Sequence, residues 1–172
     1  NSQKQVAMIE QPQAKMEQLA VWRQSFNASA EEGSPAQQLI VLQNRERDGL
    51  GLALPSGSFT LYSMRNGEPF LLGEGSMTDR AVGEKVEVWV DNPSSVRVVQ
   101  REVSEDKQGR KTFEIVATND SPVPQAFEAR LDGDGKVDRT SGRMVRRDGY
   151  WLWAAVIPAN ASRTVRFRYS DD

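Results

Sequence analysis

The chain contains no histidine and no cysteine. Those two absences exclude more chemistry than any motif supplies. Ser-His-Asp triads, Cys-His pairs, His-based metal centres and cysteine zinc sites all go at once. Carboxylates are the side chains left for acid–base work near neutrality. The missing thiols also rule out a disulfide-stapled scaffold and thiol redox chemistry, without fixing a compartment. Charge of a single sign is missing too. The 22 basic and 24 acidic residues are interspersed, so there is no electrostatic footprint for nucleic acid or an anionic membrane. No apolar stretch approaches the roughly 18 residues that cross a bilayer, so no membrane span is expected in this sequence. The opening Asn1-Ser2-Gln3-Lys4 has no apolar signal region, so any targeting segment is expected to lie outside it.

What is present is period-two patterning. From about residue 36 to the end, apolar residues alternate with polar ones in short runs bounded by turn formers. Leu39-Ile40-Val41-Leu42 is continuous instead, which predicts a strand buried on both faces. Phe59 and Leu61 alternate with Thr60 and Tyr62, and Phe70-Leu71-Leu72 follows after Arg65-Asn66-Gly67-Glu68. Asn-Gly takes the positive φ angles of a tight turn readily, so this segment predicts a β-hairpin. Val86, Val88 and Val90 form another strand face, with Trp89 and Glu87 opposite, and Asp91-Asn92-Pro93 is read as the turn that ends it. Val96 and Val98, then Phe113, Ile115 and Ala117, predict a second hairpin turning near Lys107-Gln108-Gly109. Phe127 and Ala129, Trp151 and Trp153, and Val165, Phe167 and Tyr169 complete the set. About nine strands with regular turns predict an all-β, antiparallel immunoglobulin-like β-sandwich.

Residues 1–35 read two ways. Met16, Leu19, Ala20, Arg23 and Phe26 make a helical stripe, whereas Val6, Met8 and Ile9 suggest a strand. The order of apolar strand, asparagine and polar loop occurs twice, at Leu42-Gln43-Asn44 and Ala117-Thr118-Asn119. That repeat suggests equivalent strand ends in two tandem units, 36–92 and 93–172, behind an N-terminal extension or strands at 1–35. A single sandwich over 36–172 fits as well.

No catalytic constellation emerges, and no metal or cofactor is expected. Asp132-Gly133-Asp134-Gly135-Lys136-Val137-Asp138 resembles a calcium loop, but with Gly135 at the bend Arg130 and Ser141 fall where oxygen ligands belong. It reads as a solvated turn. Ser104-Glu105-Asp106-Lys107 has the spacing of a serine–lysine acyl-transfer pair, which needs a helix that this strand end does not offer. Carboxylate pairs such as Glu84 with Glu87, or Asp132 with Asp134, lack any sign of the cleft a glycosidase requires. Trp89, Tyr62 and Tyr150 are the candidate binding surface, since aromatic faces serve sugar rings and protein partners alike. Asn160-Ala161-Ser162 is a formal glycosylation acceptor of a kind that arises often by chance.

The run Leu39 to Asn44, the segment Gly49-Leu50-Gly51-Leu52-Ala53-Leu54-Pro55-Ser56-Gly57, and Leu71-Leu72-Gly73-Glu74-Gly75 resemble a bacterial family of unknown function. Ala81 to Val88 fits it as well, as do Val156-Ile157-Pro158-Ala159-Asn160 and Val165 to Tyr169. The same domain type forms the C-terminal region of mucoidy-inhibitor-A-like proteins. The resemblance covers about residues 36–170 and implies export by a signal peptide, with no catalytic residues to carry over. Gly49, Gly51 and Gly57 are read as structural, letting the backbone bend around Pro55. The expected function is therefore a non-catalytic periplasmic or cell-surface domain that contacts a protein or cell-envelope component, with a homo-oligomer also open. The alternative is a carbohydrate-binding or glycan-processing accessory domain.

Overall fold

The computed structural model describes residues 11, 14–26, 28 and 30–171. Among them there is no α-helix, and the strands are β1 (Met16–Ser25), β2 (Ala30–Gln43), β3 (Gly57–Arg65), β4 (Glu68–Met77), β5 (Lys85–Glu105), β6 (Lys111–Asn119), β7 (Gln125–Asp132), β8 (Lys136–Asp138), β9 (Met144–Arg147), β10 (Tyr150–Ile157) and β11 (Ala161–Ser170). A 3-10 turn, Glu46–Asp48, follows β2. The helical stripe of the N-terminal region is thus a strand, while Val6, Met8 and Ile9 lie outside the described residues.

Nine strands make one sheet in the order β8-β11-β6-β5-β2-β1-β7-β10-β9, nearly closed into a barrel, and β3 with β4 forms a separate hairpin. The sheet is mixed and not purely antiparallel, because β1 runs parallel to β7, with Leu19 opposite Ala126 and Ser25 opposite Asp132. A parallel pair needs a long crossover, here everything between β1 and β7, so no local sequence period announces it.

The curled sheet encloses a core built from alternate residues. Ala20 and Trp22 of β1, Phe127, Ala129 and Leu131 of β7, and Trp153 and Ile157 of β10 meet Val96 and Val98 of β5, Phe113, Ile115 and Ala117 of β6, and Val165, Phe167 and Tyr169 of β11. Phe26 stacks on Tyr169 at 4.0 Å between ring centroids and meets Phe167 edge-on at 5.6 Å. Burying a phenylalanine fully stabilises by about 1.5–3 kcal/mol, and Phe26, Phe127 and Phe167 are all in that state. Arg166 and Arg168 alternate outward, as the period-two pattern of β11 predicts.

A second cluster, Ile40 with Val86, Val88 and Val90, is covered by Phe59, Leu61 and Met77 of the hairpin. Leu39 and Val41 pack on the opposite face with Val21, so the continuous apolar run of β2 is buried on both sides. The hairpin turns at Asn66 (φ 53°) and Gly67 (φ 83°), with Arg65 opposite Glu68. Two consecutive positive φ angles make the primed turn that Asn-Gly predicts. Its β4 strand comes close to β5: a Cβ on Gly75 would collide with the Trp89 carbonyl, and one on Gly73 with the Val90 side chain.

Asp91-Asn92-Pro93 does not end its strand. β5 runs on, and two extra residues bulge out between Val90, opposite Gln38, and Pro93, opposite Gln37. Proline donates no ladder hydrogen bond, and a bulge is where a strand tolerates that loss. Pro35 sits beside a register shift in the facing β2, so both strands bend together. The hydrophobic clusters change over at this bend, while β2 and β5 run through both.

Asn44 and Asn119, the two strand-end asparagines, are completely buried. Asn44 Nδ2 donates to the carbonyls of Leu52 (2.7 Å) and Ala81 (2.8 Å), and its Oδ1 accepts from the N–H groups of Gly51 (3.0 Å) and Leu52 (3.3 Å). Asn119 Nδ2 faces the carbonyls of Val123, Ile157 and Pro158, and its Oδ1 accepts from Ser121 N–H and Ser95 Oγ. Each side chain replaces a missing strand partner for loop backbone. Gly51, at φ 90°, passes so close to Glu46 that a Cβ would lie 2.7 Å from its nitrogen; that glycine is structural.

Candidate functional site

The three candidate aromatics stand on three elements: Tyr62 on β3, Trp89 on β5 and Tyr150 at the start of β10. No described cavity or ring contact joins them. Tyr62 is 58% exposed. Tyr150 is half-buried between Asp132 of β7 and Arg147 of β9. Trp89 is half-buried on the outer sheet face beside Val21, Leu39 and Val41.

The Arg23 guanidinium lies 4.2 Å from the Trp89 ring centroid, and Arg130 lies 5.9 Å from it. A cation against an indole face stabilises by roughly 0.5–2 kcal/mol. Arg130 is itself buried and pairs with Glu128 at 3.0 Å and Glu87 at 3.7 Å, while Glu128 also takes Arg147 at 3.0 Å. Burial pushes the Glu87 carboxyl up. The Lys85 hydrogen bond and the charges of Lys85, Arg130 and Arg23 outweigh it and hold the group below the ordinary carboxylate value. This face is a self-compensated ion network around Trp89.

Where Trp89 meets the hairpin there is an open groove of about 470 Å³, lined by Trp89 and Asp91 of β5 and by Ser58, Thr60, Glu74 and Ser76 of the hairpin. Hydroxyls and two carboxylates make it polar.

A different cleft, of about 300 Å³, opens at the edge of the hairpin-covered cluster. Gln18 of β1, Gln38 and Ile40 of β2, and Val90, Asn92 and Pro93 of β5 form the sheet side, and Leu61, Phe70 and Leu71 of the hairpin form the other. No charged side chain lines it. The Nε2 atom of Gln38 is buried and has no hydrogen-bond partner. Phe70 is 54% and Leu71 50% exposed, so the hairpin borders the cleft with apolar surface that it does not itself cover. Sequence reasoning passed over these residues. The available signal was the unbroken Phe70-Leu71-Leu72 run beside a tight turn, since one side of a two-stranded hairpin cannot hide three successive apolar side chains.

The other sequence candidates are engaged separately. Asp134 pairs with Arg146 and Asp138 with Arg168. Gly133 and Gly135 press against Phe26 and Tyr169, where added Cβ atoms would clash. Among the described residues no group of three or more acidic side chains is placed to hold a metal ion. Glu84 accepts from the Ala81 N–H, whereas Glu87 pairs with Lys85. Ser104 lies extended in β5 opposite Thr112. Among the described residues no helix is long and apolar enough to cross a membrane.

No family model matches the chain, and neither a curated protein nor a solved structure matches it.

Proposed function

We propose that this chain is a non-catalytic binding module of an exported bacterial envelope protein, working through protein or surface contacts. In this reading the two halves of the curled sheet act as an immunoglobulin-like sandwich. The observation that carries it is the outer half of the β3–β4 hairpin. Tyr62 and Leu71 are cross-strand partners, and with Phe70 each exposes half or more of its surface. Aromatic and aliphatic side chains grouped at an exposed element favour a partner that removes them from water. Export and the envelope setting rest on the family resemblance.

The second reading, carbohydrate binding, draws support from the hydroxyl- and carboxylate-lined groove beside Trp89. It is the weaker one, because Arg23 already occupies the indole face that a sugar would stack upon. A photo-crosslinking residue placed at Tyr62 in the producing cell tests the choice. The first reading expects a discrete protein adduct that Leu71→Ser abolishes. Reproducible glycan-array binding lost in Trp89→Ala overturns it, as does turnover of any substrate by the purified chain.

A further inference from the structure

We infer that the uncharged cleft between hairpin and sheet receives an extended peptide segment, its backbone carbonyls facing glutamine amides and its apolar side chains facing Phe70 and Leu71. This rests on the binding-module reading and names the partner class of the same hairpin. Three features of the cleft argue for it.

The first is polarity without charge. The walls combine Ile40, Leu61, Phe70, Leu71, Val90 and Pro93 with carboxamides and hold no ionised group. A phosphate, a carboxylate or an ammonium group would enter without a counter-charge, whereas a peptide backbone brings neutral dipoles.

The second is an unmet donor. Gln38 Nε2 is buried with no partner, and a buried N–H without an acceptor costs about 1–3 kcal/mol. An incoming carbonyl removes that cost once the carboxamide turns outward into the cleft that Gln38 lines. Apolar ligands such as an acyl chain leave it in place.

The third is spacing. Gln18 pairs across to Ile40, and Gln38 to Ala20, so the two amides are diagonal neighbours, about 7–8 Å apart at the backbone. Carbonyls pointing the same way along an extended chain repeat every two residues, roughly 6.6–6.8 Å. The match suits a strand-like segment and no particular sequence. Apolar recognition then falls to alternate side chains against the hairpin.

The test selects a random peptide phage library on the immobilised full chain, then titrates the enriched peptides, end-capped, into isotope-labelled protein. Enriched peptides are expected to be uncharged and apolar at alternate positions, and to shift the Gln38 side-chain amide resonance. Gln38→Leu is expected to weaken them by up to about tenfold, the loss of one well-made hydrogen bond. Its unfolding midpoint should not fall, because the substitution removes an unsatisfied donor. Enrichment of acidic or basic peptides, or affinity indifferent to Gln38→Leu, overturns the inference. If Leu71→Ser and Tyr62→Ser abolish binding while Gln38→Leu does not, the hairpin surface stands and the cleft falls. If none of the three substitutions matters, both readings fall.

Discussion

Asn44→Ala should be among the most damaging single substitutions outside the hydrophobic core. The side chain is fully buried and makes four hydrogen bonds to backbone, with Leu52 and Ala81 as acceptors and Gly51 and Leu52 as donors. Truncation leaves two carbonyls and two N–H groups without that partner. At about 1 kcal/mol net for each bond the loss is roughly 4 kcal/mol, rising where water does not reach the orphaned groups and falling where the loop opens to admit it. For a chain of this length that corresponds to a drop of about 8–16 °C in Tm. Urea unfolding followed by tryptophan fluorescence gives the free energy directly. Asn44→Asp refines the reasoning: it keeps the acceptor oxygen but turns a carboxylate toward the Leu52 and Ala81 carbonyls, and should be no milder than alanine. Asn119→Ala should cost a similar amount, because that amide also serves loop backbone with both ends. A loss under about 1 kcal/mol for Asn44→Ala would refute the argument, meaning that Gly49, Gly51 and the backbone bonds of Asn44 set the loop path unaided.

Gly75→Ala forces a methyl onto the Trp89 carbonyl and the Phe59 ring; an overpacking loss of about 1–3 kcal/mol with faster hydrogen exchange in β3 and β4 is expected. Gly67→Ala meets open space at φ 83° and should cost only the left-handed strain, about 1–2 kcal/mol; equal exchange effects from the two would contradict close docking of the hairpin. Phe167→Ala, at the centre of the aromatic cluster, should lose about 3–5 kcal/mol by urea unfolding, and a loss below 1 kcal/mol would deny it a core role. Glu114 is buried between Arg166, whose Nε donates at 2.5 Å, and Arg101, whose Nε donates at 2.8 Å. The Arg166 bond, joined by Arg101 and opposed by burial, holds its carboxyl below the ordinary value of 4.5. Stability from this group is therefore complete above the ordinary carboxylate range and lost as pH falls through the lowered folded value. The urea-midpoint gap between wild type and Glu114→Gln should be flat near neutrality and shrink in acid; a gap unchanged down to about pH 3 would show that the carboxylate's charge contributes nothing.

Local periodicity makes much of this fold legible in the chain itself. The alternating faces of β6, β7 and β11, the doubly buried run of β2 and the Asn66-Gly67 turn are properties of neighbouring residues, and the chain states them directly. Strand pairing is different. Nothing near Leu19 says that its neighbour is Ala126, more than a hundred positions away, so the parallel pair was not readable. Pro93 misled for a physical reason. Proline next to Asp91-Asn92 fits a turn and a bulge equally well locally, and only the bend of the facing strand at Pro35 decides between them.

The cleft follows from that same bend. Had β5 run straight past Pro93, the inward face of β2 would have met one continuous core, and glutamine at 38 would have been costly there. The two extra residues instead sit where the hairpin-covered cluster gives way to the larger one, and the cleft opens at the surface beside them. Gln18 stands exposed on the open rim of that cleft, whereas the Nε2 atom of Gln38 is buried without a partner. The sign of the Gln38→Leu effect on stability tests this history independently of any ligand. In a closed core the longer amide would be a packing element and its loss neutral at best, whereas at a gap an apolar replacement should raise the unfolding midpoint and lower solubility. A midpoint that falls would mean the amide is satisfied within the folded chain and the gap holds no vacancy for a partner.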